Sequence, residues 1–249
     1  MYAKYEQTHP DDLQAIFQET PVAYVTLGTY EHHGWHLPVG FDGIKGYEIC
    51  LRAAQRTGGV VMPTIWYGIG GGHVGYKWTL IAQEEHLRPL LEMTADRLVA
   101  WGAKVIVLYT GHYAGEQVAL VRAIAQECSK RYTEAAFWGL TDPDLTTPLP
   151  GDTQRGDHAA KYETSIALYL RPEWVRLSNL TAGRDDRAAT LPETPRGEGR
   201  QYVPEDPLYA VWGDDPATTA SAENGRIIVE EVLEKLVEGV RQRLEHVTA

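Results

Sequence analysis

Short runs of apolar, largely β-branched residues alternate along the chain with longer segments in which apolar positions recur every three to four residues. The two periods predict strands and helices in turn. Val22–Leu27 follows Pro21 and ends at Gly28, so it reads as a buried strand. Residues 60–62 and 105–109 read the same way, and 135–140 as a fourth strand. Helical spacing marks 44–57, which stops at Gly58 and Gly59, and then 85–101 and 114–132. A further helix is expected over 162–170, ending before Pro172. Strands separated by helices imply parallel pairing through right-handed crossovers, with helices on both sheet faces.

From 183 to 222 the periodicity disappears and Gly, Pro, Asp, Arg and Thr dominate, which predicts a long irregular loop. A loop of that length is a cover over a site, an arm on a neighbouring subunit, or plain surface chain. Helical spacing returns over 227–244, with Ile228, Val232, Leu236 and Val240 on one face. The whole chain, 1–249, is expected to form one domain.

Composition narrows the function classes. With 43% hydrophobic and 23% charged residues the chain is globular, and its 249 residues suffice for a substantial core. A net charge of -11 disfavours nucleic acid as a partner, because phosphate backbones require a positive field. No run of about 18 apolar residues suggests a membrane span, and the polar start of the chain does not resemble a signal peptide. Two cysteines, Cys50 and Cys128, are too few for a disulfide framework or a four-thiolate site, and a reducing cytoplasm is the expected compartment.

Nine histidines in 249 residues would put about 0.18 in any window of five, yet His32, His33 and His36 fall together. They follow the first strand, where open parallel sheets bind ligands. In extended chain Glu31 and His33 point to one side and His32 to the other, with Asp42 after a Pro and Gly turn that could fold it back. The strand at 105–109 runs into Thr110-Gly111-His112, so His112 also stands at a strand's carboxyl end. A third group, Asp157-His158 to Glu163, opens a later helix. Carboxylates and imidazoles without thiolates suit zinc, manganese or iron, and a carboxylate such as Asp42 can bridge two ions about 3.5 Å apart. The alternative, in which these histidines cap helices or bond carbonyls, must hold jointly for the cluster and for His112.

The stretch Glu31-His32-His33-Gly34-Trp35-His36-Leu37-Pro38-Val39-Gly40-Phe41-Asp42 resembles the creatininase family pattern Glu-Gln-His-Gly-x-His-Leu-Pro-x-x-x-Asp. Thr110-Gly111-His112-Tyr113 is similar to that family's Asn-Gly-His segment, and Asp157-His158 through Glu163-Thr164-Ser165 to its acidic-His and Glu-Thr-Ser segment. The resemblance implies a three-layer α/β/α fold with a mostly parallel central sheet. It also implies a binuclear metal centre that hydrolyses a C–N bond of a small cyclic or linear amide, within a homo-oligomer that is commonly a hexamer. By position, Glu31 and His112 would hold one of two divalent ions (zinc paired with zinc, manganese or iron) and His33 and Glu163 the other, with Asp42 bridging. A metal-activated hydroxide would attack, and His158 would pass a proton to the leaving nitrogen.

The departures bear on the substrate. Ala114 stands where creatininase has a Glu, which leaves the second ion to Glu163, and Gln154 stands where creatininase has a Trp over its substrate. Trp138 aligns with another substrate-side Trp, and Tyr113, His73 and Lys77 are further expected substrate contacts. Family members acting on a formamide, a peptide end or a cyclic polyol derivative are alternatives, as is a non-catalytic protein braced by metal. Gly70-Gly71-Gly72 lacks the Gly-Lys-Ser/Thr of a phosphate loop and reads as a turn.

Overall fold

The computed structural model describes residues 1–153, 155–181, 206–208 and 210–248. Among them the apolar runs form one sheet of β1 (Tyr2–Lys4), β2 (Val22–Leu27), β3 (Gly59–Val61), β4 (Val105–Thr110) and β5 (Ala136–Thr141). Their spatial order is β1-β3-β2-β4-β5, and every neighbouring pair is parallel. The helices are α1 (Pro10–Glu19), α2 (Phe41–Thr57), α3 (Glu84–Ala100), α4 (Gly115–Arg131), α5 (Lys161–Leu170), the single turn α6 (Pro216–Thr219) and α7 (Ala222–Thr248).

Period-two alternation divides the sheet between two cores. Val22, Tyr24, Val105, Val107 and Tyr109 face α2, α5 and α7, whereas Ala23, Val25, Leu27, Ile106 and Leu108 face α1, α3 and α4. The fold is therefore three layers, α/β/α, around central strands β2 and β4 that are buried along their whole length. Helix α7 buries Ile228, Val229, Val232, Leu233, Leu236, Val237 and Val240, each worth about 2 kcal/mol of transfer free energy before entropy is counted.

Two elements lie outside the sequence expectation. Strand β1 is three residues at the sheet edge, with Tyr2 exposed, and α1 buries only Ile16 and Phe17 behind a Pro at its first turn. Neither gives a periodic run long enough to read. Of the expected loop over 183–222, residues 183–205 and 209 lie outside the described residues. The remainder makes a turn, the bridge from Trp212 to His158, and α6. Cys50 and Cys128 are buried free thiols. Among the described residues no helix is long and apolar enough to cross a membrane.

Two close approaches set the site. A Cβ on Gly28, just after β2, would lie 2.2 Å from the backbone N of Gly43, and one on Gly111, just after β4, 2.1 Å from the backbone O of Asp42. Only glycine lets both strand ends touch the first turn of α2, and that contact wedges Asp42 between them. Asp42 thus reaches the site from a helix N-terminus that begins three residues before the expected start at 44. The expected Pro and Gly turn precedes it, closed by the Phe41 N–H on the Pro38 carbonyl, and returns the chain to Glu31 through the Glu31 N–H on the Val39 carbonyl.

Candidate metal centre

Five side chains from four places in the sequence converge at the carboxyl ends of β2 and β4. Asp42 lies in the middle, with Oδ1 3.0 Å from His33 Nε2 and Oδ2 3.0 Å from His112 Nδ1. Glu31 Oε2 is also 3.0 Å from His112 Nδ1, and Glu163 Oε2 is 3.5 Å from His33 Nε2. All five are buried. Among the described residues the ligand atoms gather as Glu31, Asp42 and His112, as His33, His158 and Glu163, and as Glu31, His73 and His158, with Asp42 Oδ1 beside His33 as well.

The outer nitrogens fix how the imidazoles face. His33 Nδ1 donates to the Glu31 carbonyl at 3.0 Å, and His112 Nε2 reaches the Gly70 carbonyl at 3.4 Å. Each ring therefore turns its other nitrogen on carboxylate oxygens, as metal-ligating histidines do. Glu31 Oε2 and Asp42 Oδ2, both buried, converge on the single nitrogen His112 Nδ1. Two buried carboxylate oxygens on one imidazole nitrogen leave negative charge that a cation would satisfy, so the donor set fits a metal pair. Burial alone would push His33 down, yet the Asp42 and Glu163 carboxylates lift it to about 9, and burial notwithstanding, His33 and His112 hold Asp42 well below the carboxylate range. The cluster draws positive charge.

The surrounding residues hold these ligands in place. His73 Nδ1 donates to Glu31 Oε1 at 2.7 Å, leaving Oε2 for the His112 side. Lys45 Nζ lies 2.7 Å from Glu163 Oε1, and the Ala159 N–H donates to Glu163 Oε2 at 2.8 Å. Ala159 adopts a left-handed φ of 54°, a strained conformation for a residue with a Cβ, and so aims that N–H inward. Asp157 caps α5, accepting from the N–H groups of Ala160, Tyr162 and Glu163. Burial and the Glu163 charge push its carboxyl up to about 7. His36 stays out of the cluster: its Nε2 is 2.8 Å from Thr164 Oγ1. His32 turns away from Glu31 and His33, as strand alternation predicts, and its ring packs on Trp35 and Tyr76.

A crevice of about 420 Å³ opens over the cluster, lined by Glu31, Asp42, His112, His158, Glu163, Tyr113, His73 and Trp212 among others. His73 and Tyr113 are thus at the crevice as expected, though one ring nitrogen of His73 is committed to Glu31 and the Tyr113 hydroxyl donates to Asp142. Trp138 is elsewhere. It pairs with Val107 in the middle of β5, and its ring lies beneath Gly239 and Arg243 of α7, because a mid-strand side chain faces a helix layer and not the strand ends. Lys77 is also away from the crevice, exposed with its Nζ 5.3 Å from the Trp78 ring; the neighbouring Tyr76 turns inward instead, against His73. Gln154 lies outside the described residues.

The aromatic wall over the cluster is Trp212, which lies in a stretch without periodicity. Its ring packs on His73 at 4.3 Å between centroids, tilted by 34°, and its backbone exchanges two hydrogen bonds with His158. Gly72 lets it close in, since a Cβ there would lie 2.6 Å from the indole. Lys45 was equally unanticipated, although a lone charge on the apolar face of a helix, three residues from Asp42, is a visible mark.

The family profile described as "Creatininase: Creatinine amidohydrolase" matches residues 6–240. The chain belongs to the creatininase family of hydrolases. A creatinine amidohydrolase of Pseudomonas putida is 26% identical over 89% of this chain and 89% of its own length. A mycofactocin precursor peptide peptidase of Mycobacterium ulcerans is 30% identical over 87% of this chain and 83% of its own. The solved structure "Creatininase Mn" superposes with a TM-score of 0.77 at 21% identity, over 97% of this chain and 98% of that one, so the creatininase fold is shared throughout.

Proposed function

We propose that this creatininase-family protein is a metal-dependent amidohydrolase that cleaves a C–N bond of a small amide-like substrate in the crevice over Asp42. The observation that carries the reading is the Asp42 carboxylate, which offers one oxygen to His33 and the other to His112, with Glu163 and Glu31 completing the two sides. Glu31, Asp42 and His112 would hold one divalent ion and His33, Asp42 and Glu163 the other. Solved creatininase structures titled with manganese and with a zinc pair support those metals, and the carboxylate and imidazole donors would also suit iron. Bound there, the ions supply Lewis acidity that polarises a carbonyl and lowers the pKa of water.

The chain's own groups do the rest. His158 Nε2 donates to the His32 carbonyl at 2.8 Å, so Nδ1 carries the lone pair and faces the cluster, 4.0 Å from Glu31 Oε2. Burial, with His73 beside it, holds the His158 imidazole well below its ordinary value and therefore neutral. Its Nδ1 can take a proton from attacking water and return it to the departing nitrogen. The indole of Trp212, packed at a tilt against His73, offers a flat face to a planar or cyclic substrate.

A second reading, hydrolysis at a peptide end, is favoured by one feature. The crevice adjoins a cavity of about 490 Å³ through shared walls Tyr113, Gly115 and Asp157, and Arg122 and Arg155 lie along that extension, room that a small cyclic amide would not use. The peptidase relative lends it support. A panel of cyclic amides, formamides and short peptides, assayed before and after chelation, tests both readings. Turnover abolished by chelator and restored by zinc or manganese is expected. No turnover on any C–N bond in the metal-loaded protein would instead point to a non-catalytic, metal-braced protein.

A further inference from the structure

The crevice over the cluster continues past Tyr113. The adjoining cavity of about 490 Å³ shares Tyr113, Gly115 and Asp157 with it. Nothing stands within 4 Å of the place a Cβ on Gly115 would take, so the junction is open on that side. Val118 and Ala119 of α4 and Pro143 of the loop after β5 give the cavity apolar walls. Walls of that kind favour a hydrocarbon or aromatic side chain.

Two guanidinium groups border the same space, and they differ. Arg122 Nη2 is 2.6 Å from Asp144 Oδ1, so its charge is answered within the fold. Arg155 has no carboxylate partner among the described residues. Its Nη1 donates to the Thr146 carbonyl at 3.1 Å, which pins the head and leaves the rest of the fork for a ligand. The neighbouring carboxylates are turned elsewhere. Asp157 accepts from the N–H groups of Ala160, Tyr162 and Glu163, and Asp142 accepts from the Tyr113 hydroxyl. Glu116 borders the crevice and not the cavity, with its carboxylate against Gly70. A chain of net charge -11 thus keeps an unanswered, pinned cation on the wall of an apolar space beside its hydrolytic centre. A guanidinium fork matches the two oxygens of a carboxylate.

We infer, on the amidohydrolase reading above, that the cavity is a subsite for a substrate part bearing an apolar side chain and a free carboxylate, with Arg155 selecting the carboxylate. The amide lies in the crevice over Asp42, the side chain passes Tyr113 to lie against Val118, Ala119 and Pro143, and the carboxylate meets Arg155. That chemistry is an apolar α-amino acid acylated on its nitrogen, supplied either by the last residue of a short peptide or by a single N-acylated amino acid. Water adds across the C–N bond, its hydroxyl to the acyl carbon and its proton to the nitrogen. The amino acid leaves with its own carboxylate unchanged.

Matched substrates read this directly. N-acetylphenylalanine and N-acetylalanylphenylalanine, each as the free carboxylate and as the carboxamide, are offered to the full chain with zinc or manganese, and release of the phenylalanyl amine is followed. The free carboxylate should be preferred by at least about tenfold in kcat/KM, carried by KM, the scale of one charge-assisted guanidinium–carboxylate pair. Faster turnover of one acyl part than the other separates the peptide end from the single acylated amino acid. Arg155 is exposed, so its replacement spares the core. Arg155→Gln should bring the two members of a pair within about twofold of each other, Arg155→Lys should keep part of the preference, and Arg122→Gln should move it less. A merely structural role for Arg155 would slow both members alike. Equal use of carboxylate and carboxamide by the wild type, or a preference that survives in Arg155→Gln, overturns the inference and leaves the amidohydrolase reading standing. So does a wild type that hydrolyses a cyclic amide or formamide and releases no phenylalanyl amine. A metal-loaded wild type that turns over no amide at all overturns both.

Discussion

Glu31 and His112 reach the cluster from the ends of β2 and β4, which pair in register from Val22 opposite Val105 to Leu27 opposite Thr110. Glu163 comes instead from the first turn of α5, where a left-handed Ala159, the cap Asp157 and Lys45 converge on it. On the His112 side two carboxylates share one imidazole nitrogen, whereas the helix-borne Glu163 is engaged by a lysine and a backbone N–H. Adjacent strand ends joined by a buried ladder hold Glu31 and His112 in one fixed arrangement, imidazole against carboxylate. A helix start has free N–H groups and side chains within reach, and those settle a carboxylate before any ligand arrives.

Asp42 belongs to both halves, so its loss should erase the distinction. Asp42→Asn is expected to lower hydrolysis by about a thousandfold or more and to reduce bound zinc on both sides, read by rate and by metal content of the purified variant. His158 stands beside both halves, and the proposed mechanism gives it a proton to move and no metal to hold. His158→Gln should cut kcat by about 10²-fold to 10⁴-fold while metal content stays at the wild-type level, and a parallel loss of metal would show that His158 acts as a ligand.

Trp212 touches substrate space and neither half directly. Trp212→Ala should raise KM about tenfold for planar substrates with little change in kcat, and an unaltered KM would remove the indole from substrate recognition. An effect on stability and not on turnover is expected behind the helix-borne half, at His36, which bonds Thr164 next to Glu163. Burial first, and then the charge of His33, pushes His36 down to about 4 from an ordinary value of 6.5. The folded state thus favours neutral His36. Its contribution is present above about pH 6.5 and is lost as the pH falls toward 4, by about 2 kcal/mol at pH 5. Urea midpoints measured at pH 7 and pH 5 should converge in His36→Gln, and a wild-type slope preserved in that variant would assign the acid sensitivity to other groups.

Much of this was readable before any coordinates. The strands β2 and β4 are long, largely apolar and followed at once by Gly, so their ends, and with them Glu31, His33 and His112, were placed by period and punctuation alone. Asp42 was identified by spacing, but its position in a helical first turn depends on Gly28 and Gly111 meeting α2, a tertiary contact with no local signature. Trp138 was misassigned because alignment finds a residue type, whereas register decides that a mid-strand side chain faces α7. Trp212 was hidden in a stretch without periodicity, and its place follows only from the two backbone hydrogen bonds it makes with His158.

The most direct test is a crystal structure of the metal-loaded protein with anomalous scattering collected at the zinc and manganese edges. Two peaks about 3.5 Å apart are expected, one bonded by Glu31, Asp42 and His112 and the other by His33, Asp42 and Glu163, with an Asp42 oxygen on each. Metal bound elsewhere, with Asp42 contacting no ion, would contradict the account.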